Sequence, residues 1–116
     1  MPHSVLIVDD HPSFRASARA ILEEDGFTIV GEAEDGASGL KLLRQLRPDV
    51  VLLDVQLPDM TGFEVCRECG DLDTTSVVLV SSRDATDYGH LIETSGACGF
   101  VPKAELSGAA ITSLLP

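Results

Sequence analysis

Short runs of apolar residues alternate along the chain with segments in which apolar residues recur every three or four positions. A short, largely β-branched apolar run predicts a buried strand, and the longer period predicts a helix with one apolar face. The runs lie at residues 4–8, 27–30, 50–53, 77–80 and 99–102. The helical segments that follow them lie at about 12–25, 37–47, 63–69, 85–95 and 107–115.

This alternation predicts a doubly wound α/β fold, with one parallel sheet of five strands and helices on both faces. Pro102 has no backbone N–H to donate, so the last strand is expected at an edge of the sheet. The acidic, Gly-rich segment 31–36 has no apolar period and is predicted to be a loop. The chain has 116 residues and 44% hydrophobic residues, which suits one domain over residues 1–116.

Polar side chains follow four of the predicted strands, at the point where each strand ends. They are Asp9 and Asp10, Asp54, Ser81 with Ser82, and Lys103. Because the carboxyl ends of parallel strands meet at the same edge of a sheet, these side chains are expected to gather there.

Such a cluster suits the binding of a cation and a phosphoryl group. Three neighbouring carboxylates repel one another unless a cation lies among them, and Mg²⁺ prefers oxygen ligands. The Ser81 hydroxyl and the Lys103 ammonium could bind the oxygens of a phosphoryl group, and one carboxylate could act as its nucleophile. Taken singly, each residue has a simpler explanation: a helix cap for Asp9 and Asp10, a strand end for Ser81, a surface lysine for Lys103.

The formal net charge of −11 argues against direct binding to nucleic acid or an anionic membrane. The first residues carry no Lys or Arg, and the apolar run at 5–8 is too short for a signal peptide or a membrane span. We therefore expect a cytoplasmic protein.

The three cysteines do not form a recognisable disulfide or metal pattern. Cys66 and Cys69 make one C-x-x-C, but a second pair of ligands is missing and His3, His11 and His90 are scattered. Packing on a helix face is the favoured interpretation of Cys66 and Cys69, with redox or zinc chemistry as the weaker alternative.

Taken in order, these residues resemble the receiver domain of a two-component response regulator. The resemblance covers nearly the whole chain and rests on the acid pair after the first strand, an acid after the third, a hydroxyl after the fourth and an aromatic residue three positions before a lysine. These are Asp9 and Asp10, Asp54 with Pro58 and Gly62 after it, Ser81, and Phe100 with Lys103. Residues 9–15 and 99–103 resemble the branch whose receivers precede a helix-turn-helix DNA-binding domain.

The resemblance implies a flavodoxin-like sheet with strand order 2-1-3-4-5 and a role for each site residue. Asp54 would accept a phosphoryl group from a histidine of a sensor kinase. Lys103 would hold a phosphoryl oxygen, Ser81 would swing toward the phosphoryl group, and Phe100 would turn inward behind it. The implied ligands of Mg²⁺ (or Mn²⁺) are Asp10, Asp54, the backbone carbonyl of Gln56 and, through water, Asp9.

The implied partners are a sensor histidine kinase and a downstream protein or effector domain, with the chain a monomer or a phosphorylation-linked homodimer. The sequence departs from the common pattern at Ala104, where many receivers have proline, and at Phe100, which lacks the hydroxyl some members carry. Gln56 and Arg83 occupy the positions thought to tune the lifetime of the phosphoryl group.

Three alternatives remain open at this point. A phosphohydrolase that works through an aspartyl phosphate typically has a second aspartate two residues after its nucleophile, where this chain has Gln56. A phosphate-independent interaction module would be expected to have lost a pocket residue, and none is lost. An FMN-binding protein of the same fold is disfavoured by the acidic sheet edge and by the lack of a Ser/Thr/Gly loop after the first strand.

Overall fold

The computed structural model describes residues 3–69 and 74–116, whose strands form one parallel sheet in the order β2-β1-β3-β4-β5. Both the predicted fold class and the predicted strand order are confirmed. The strands are β1 Ser4–Val8, β2 Thr28–Ala33, β3 Val50–Asp54, β4 Ser76–Ser81 and β5 Gly99–Pro102. The helices are α1 Pro12–Glu24, α2 Gly36–Leu46, α3 Gly62–Glu68, α4 Leu91–Thr94 and α5 Gly108–Leu114, with single 3₁₀ turns at Ala85–Asp87 and Lys103–Glu105.

Two separate apolar cores cover the two faces of the sheet, which explains why the central strands are apolar without alternation. On one face, side chains such as Val5 and Leu52 pack with Leu22 of α1 and Ile111 of α5. The other core is built from the intervening strand residues and the helices α2 and α3, and includes Leu6, Leu53, Leu43 and Val65. Among the described residues, the structure has no helix with the length and apolar character that a membrane crossing requires.

Strand β2 is longer than the hydrophobic pattern indicates. Residues 31–33, predicted to belong to a loop, pair with residues 6–8 of β1, after a register shift between Val5 and Leu6. The loop prediction was wrong for these three residues because backbone pairing with a buried neighbour, and not an apolar side-chain pattern, makes them a strand.

The segment predicted as one helix over 85–95 is broken into two short pieces. Gly89 has a φ of +57°, a left-handed conformation that interrupts a right-handed helix. The 3₁₀ turn lies before it and the four-residue α4 after it. The predicted end of the third helix, at residues 70–73, lies outside the described residues.

The chain after β3 is held tightly in place, and this positions the end of that strand. The Gly62 N–H donates to the Val55 carbonyl at 2.7 Å, and a Cβ on Gly62 would lie 2.6 Å from the backbone oxygen of Asp54. The Asp59 carboxylate accepts hydrogen bonds from the N–H groups of Gly36 (2.7 Å) and Ala37 (3.0 Å) at the start of α2. Only glycine therefore fits at position 62 without moving the backbone at Asp54.

Candidate functional site

The carboxyl ends of the strands carry the predicted side chains to one edge of the sheet. Asp54 is the last residue of β3, Ser81 is the last of β4, and Lys103 directly follows β5. A cleft of about 220 Å³ opens at this edge. Its lining residues are Asp10, His11, Asp54, Gln56, Leu57, Pro58, Ser81, Ser82 and Lys103.

Lys103 joins two of the carboxylates. Its Nζ lies 2.6 Å from Asp9 Oδ2 and 3.3 Å from Asp54 Oδ2, and it lies 4.6 Å from the centroid of the Phe14 ring. The Lys103 side chain is 15% exposed, and those of Asp9 and Asp54 are 0% and 4% exposed. The ammonium group therefore neutralises charge in a largely buried setting, where an unpaired carboxylate is costly.

Asp54 is nevertheless harder to ionise than an ordinary aspartate. Burial, and after it the negative charge of Asp9, raise the pKa of Asp54 from 3.8 to about 6. The backbone N–H of Gln56, 3.2 Å from Asp54 Oδ1, and the Lys103 ammonium act in the opposite direction. Near pH 7.5 the carboxylate is still mostly ionised and can act as a nucleophile.

The oxygen atoms at this edge fit a divalent cation. Ligand atoms of Asp9, Asp10, His11 and Asp54 all lie within 4.8 Å of one another. Asp9 Oδ2 and Asp10 Oδ1 are buried atoms without a hydrogen-bond donor of good geometry, although Lys103 Nζ lies 2.6 Å from the first and His11 Nδ1 lies 3.1 Å from the second. Closely spaced carboxylate oxygens are the ligands that Mg²⁺ prefers.

His11 is a member of this group that the sequence analysis missed. Its Nδ1 lies 3.1 Å from both Asp9 Oδ1 and Asp10 Oδ1, and its backbone N–H donates to Asp9 Oδ1 at 2.8 Å. The only signal in the sequence was its position directly after the acid pair.

Tyr88 is a second residue that the sequence analysis did not connect with the site. Its hydroxyl lies 2.6 Å from Ser81 Oγ, which also accepts a hydrogen bond from the Arg83 N–H at 3.0 Å. Phe100 does not line the cleft, but its ring centroid lies 5.9 Å from that of Tyr88. The pattern of residues 85–95 marked Tyr88 only as part of a helix face.

The geometry of the cysteines agrees with a packing role. Cys66 and Cys69 lie against the core on the α3 side, and the Cys69 thiol donates to the Cys66 carbonyl at 3.2 Å. Burial raises the pKa of Cys66 to about 11 and also raises the pKa of Cys69. Both thiols therefore stay protonated near neutral pH and are poor nucleophiles and metal ligands.

A family model and bacterial relatives of this chain point to the same protein family. The family model "Response regulator receiver domain" matches residues 5–113. A putative transcriptional regulator of Pseudomonas aeruginosa is 43% identical over 102 residues, which cover 87% of this chain and 49% of that protein. The Bordetella pertussis protein named virulence factors putative positive transcription regulator BvgA is 38% identical over 106 residues, covering 90% and 51%.

A solved structure of the same family has a similar fold. The signal receiver domain of the putative response regulator NarL from Mycobacterium tuberculosis superposes with a TM-score of 0.83 at 34% identity, covering 97% of this chain and 96% of that one. The chain spans about half the length of the two curated relatives above.

Proposed function

Since the chain belongs to the response regulator receiver domain family, we propose that it is a signalling switch in which Asp54 accepts a phosphoryl group from a sensor histidine kinase. The observation that carries this proposal is the position of Asp54. Its carboxylate lies in an open cleft, 3.3 Å from the Lys103 ammonium and beside the acid pair that follows β1.

The chemistry is a direct transfer between two side chains. An oxygen of Asp54 attacks the phosphorus of the kinase phosphohistidine, the P–N bond breaks, and the nitrogen leaves with the bonding pair. Lys103 pairs with a phosphoryl oxygen, and the Ser81 hydroxyl donates a hydrogen bond to another. Positioning and charge neutralisation account for most of the catalysis in such transfers.

A divalent cation, Mg²⁺ or Mn²⁺, would be held by Asp10, Asp54 and the backbone carbonyl of Gln56, with Asp9 acting through water. These assignments follow the family resemblance and are supported by the clustering of the ligand atoms of Asp9, Asp10 and Asp54 within 4.8 Å of one another. When bound, the ion neutralises the carboxylates and the incoming phosphoryl oxygens.

The proposed output is a change on the face formed by α4, β5 and α5, with Phe100 as the residue that turns inward. Relatives twice as long as this chain are named transcription regulators, so we infer that the domain, residues 1–116, controls an effector domain or a separate protein in the cytoplasm. We propose no direct nucleic-acid or membrane contact by this acidic chain, and a monomer or a phosphorylation-linked homodimer. We propose that the domain is a signalling phosphoacceptor and not an enzyme for external substrates, and that it catalyses only its own phosphorylation and dephosphorylation.

Incubation with acetyl phosphate and Mg²⁺ is expected to add the mass of one phosphoryl group to the wild-type protein and none to Asp54→Asn. Borohydride reduction followed by peptide mass spectrometry should place the modification on Asp54. Asp49→Asn is the matched control, because Asp49 precedes β3 and lies at its opposite end.

Equal labelling of Asp54→Asn would reject Asp54 as the acceptor. Steady release of phosphate from small organic phosphates at enzyme-like rates would instead support a phosphohydrolase.

Asp10→Asn is expected to weaken Mg²⁺ or Mn²⁺ binding by tenfold or more, because it removes a charged oxygen ligand; even outer-shell changes cost about 10- to 100-fold. Isothermal titration with the metal alone measures this without any phosphoryl transfer. The Asp49→Asn control should bind as the wild type does. Unchanged affinity in Asp10→Asn would exclude Asp10 as a ligand.

A further inference from the structure

Tyr88 contacts both residues to which the proposed function assigns a movement. Its hydroxyl lies 2.6 Å from Ser81 Oγ, and its ring lies 5.9 Å from the ring of Phe100, centroid to centroid. On another side the rings of Tyr88 and Phe63 pack in a T-shaped arrangement, with centroids 5.7 Å apart and an interplanar angle of 68°. Tyr88 is thus held between α3 and β5 with its polar end directed at the end of β4.

The hydrogen-bonding capacity of Ser81 is limited. A serine hydroxyl has one proton and two lone pairs. The Arg83 N–H already uses one lone pair, and the Tyr88 hydroxyl takes either the proton or the second lone pair. When Ser81 donates its proton to Tyr88, that proton is not available to a phosphoryl oxygen on Asp54. When Tyr88 donates instead, turning the Ser81 Oγ toward the phosphoryl group, as the proposed function requires, moves Oγ away from the Tyr88 hydroxyl.

We propose that Tyr88 is a positioning residue that holds Ser81 in the unphosphorylated state, so that the Ser81–Tyr88 bond and a Ser81–phosphoryl bond exclude each other. This inference rests on the proposed function and adds a regulatory residue to it. Phosphorylation releases the Tyr88 hydroxyl, and the ring contact with Phe100 carries the change to β5. Phe100 has no hydroxyl with which to sense Ser81 itself, and Tyr88 supplies one from another element.

The segment 82–98, which carries Tyr88, can change its conformation at a small cost in free energy. None of residues 82–98, all of which the structure describes, is buried. Gly89, with a φ of +57°, separates the 3₁₀ turn from the four-residue α4. Segments with few buried side chains and short helices open at low free energy.

Tyr88→Phe is expected to bind beryllofluoride about two- to tenfold more tightly than the wild type in the presence of Mg²⁺. The substitution keeps the ring contacts and removes only the hydrogen bond that competes with the phosphoryl analogue. The net free energy of one such hydrogen bond corresponds to this change in affinity. ¹⁹F NMR of the bound beryllofluoride measures the affinity. Among the described residues, the Thr94 hydroxyl bonds only to the His90 and Leu91 carbonyls of the same segment, so Thr94→Val should behave as the wild type does.

A double-mutant cycle distinguishes a direct effect of Tyr88 on Ser81 from a general increase in the flexibility of the segment. In a Ser81→Ala background, Tyr88→Phe should not increase the affinity for beryllofluoride. The inference would be overturned if Tyr88→Phe bound beryllofluoride no more tightly than the wild type, or if it raised the affinity equally in the Ser81→Ala background. Either result would leave the proposed function intact. If the wild type binds no beryllofluoride, the proposed function fails together with it.

The wild type offers a second measurement that needs no variant of Tyr88. The sequence has one tyrosine and no tryptophan, so tyrosine emission reports on Tyr88 alone. Titration with beryllofluoride and Mg²⁺ should change this emission saturably, and Asp54→Asn should show no change. A wild-type emission that stays constant while ¹⁹F NMR shows saturation would contradict release of Tyr88.

Discussion

Lys103→Met is expected to destabilise the metal-free domain by about 3–5 kcal/mol at pH 7.5, the usual cost of removing one partner of a buried ion pair. Lys103 Nζ is 2.6 Å from Asp9 Oδ2 and 3.3 Å from Asp54 Oδ2, so its loss leaves two buried carboxylates without their cation. Methionine keeps the apolar stem beside Phe14, which confines the loss mainly to the charge. Urea unfolding in EDTA measures the difference.

The destabilisation should shrink at pH 5, because burial raises the pKa of Asp54 to about 6 and its protonation removes one of the two charges that lose their cation. Lys41→Met, on the exposed face of α2, removes the same charge outside the site and should change stability by less than about 0.5 kcal/mol. A loss as small as this in Lys103→Met would mean that the ammonium contributes nothing net to the fold. Phosphorylation by acetyl phosphate should fall with the same substitution, because a phosphoryl oxygen loses its cation.

Asp54→Asn is expected to have the opposite effect and to stabilise the metal-free domain by up to about 3 kcal/mol at pH 7.5. The pKa of Asp54 is about 6 in the folded protein and 3.8 as a model value. Between these values the folded state binds more protons than the unfolded state, so the wild type loses stability as the pH rises from 3.8 to 6. Asparagine removes this penalty, and Lys103 keeps Asp9 as its partner.

The stabilisation by Asp54→Asn should depend on pH in a specific way. The stabilisation should be complete above about pH 7 and should fall to about half at pH 5 and to about a fifth at pH 4. Asp49→Asn gives the contrasting control, because hydrogen bonds from Ser4 lower the pKa of Asp49, and its replacement should not stabilise the protein. An Asp54→Asn gain that is absent, or constant from pH 5 to 7.5, would show that ionisation of Asp54 carries no cost in the fold.

The sheet and the site edge could be predicted because they depend on simple rules of chain geometry. Continuous apolar runs such as 50–53 specify strands that are buried on both faces, and alternation with helices specifies parallel pairing. Once the strands are parallel, their carboxyl ends must lie at a single edge, where Asp54 and Ser81 end their strands and Lys103 directly follows β5.

The two errors in the predicted elements have different origins. Residues 31–33 become strand because β1 offers them backbone partners, and the 85–95 helix breaks because Gly89 adopts a left-handed conformation. The contacts of His11 and Tyr88 escaped prediction for another reason. A hydrogen bond such as that between Ser81 and Tyr88 depends on side-chain rotamers and on the conformation of a loop. Neither can be predicted from the hydrophobic periodicity of the sequence.

The amino-acid sequence by itself determined the fold class, the order of elements and the identity of the acids, hydroxyl and lysine at the strand ends, since these depend on hydrophobic periodicity and on connectivity. Only the tertiary structure decided how these groups act on one another. Burial raises the pKa of Asp54, Lys103 bridges it to Asp9, and Tyr88 holds Ser81. The reason is that solvation, distance and direction govern these interactions, and all three arise only when separate segments pack together.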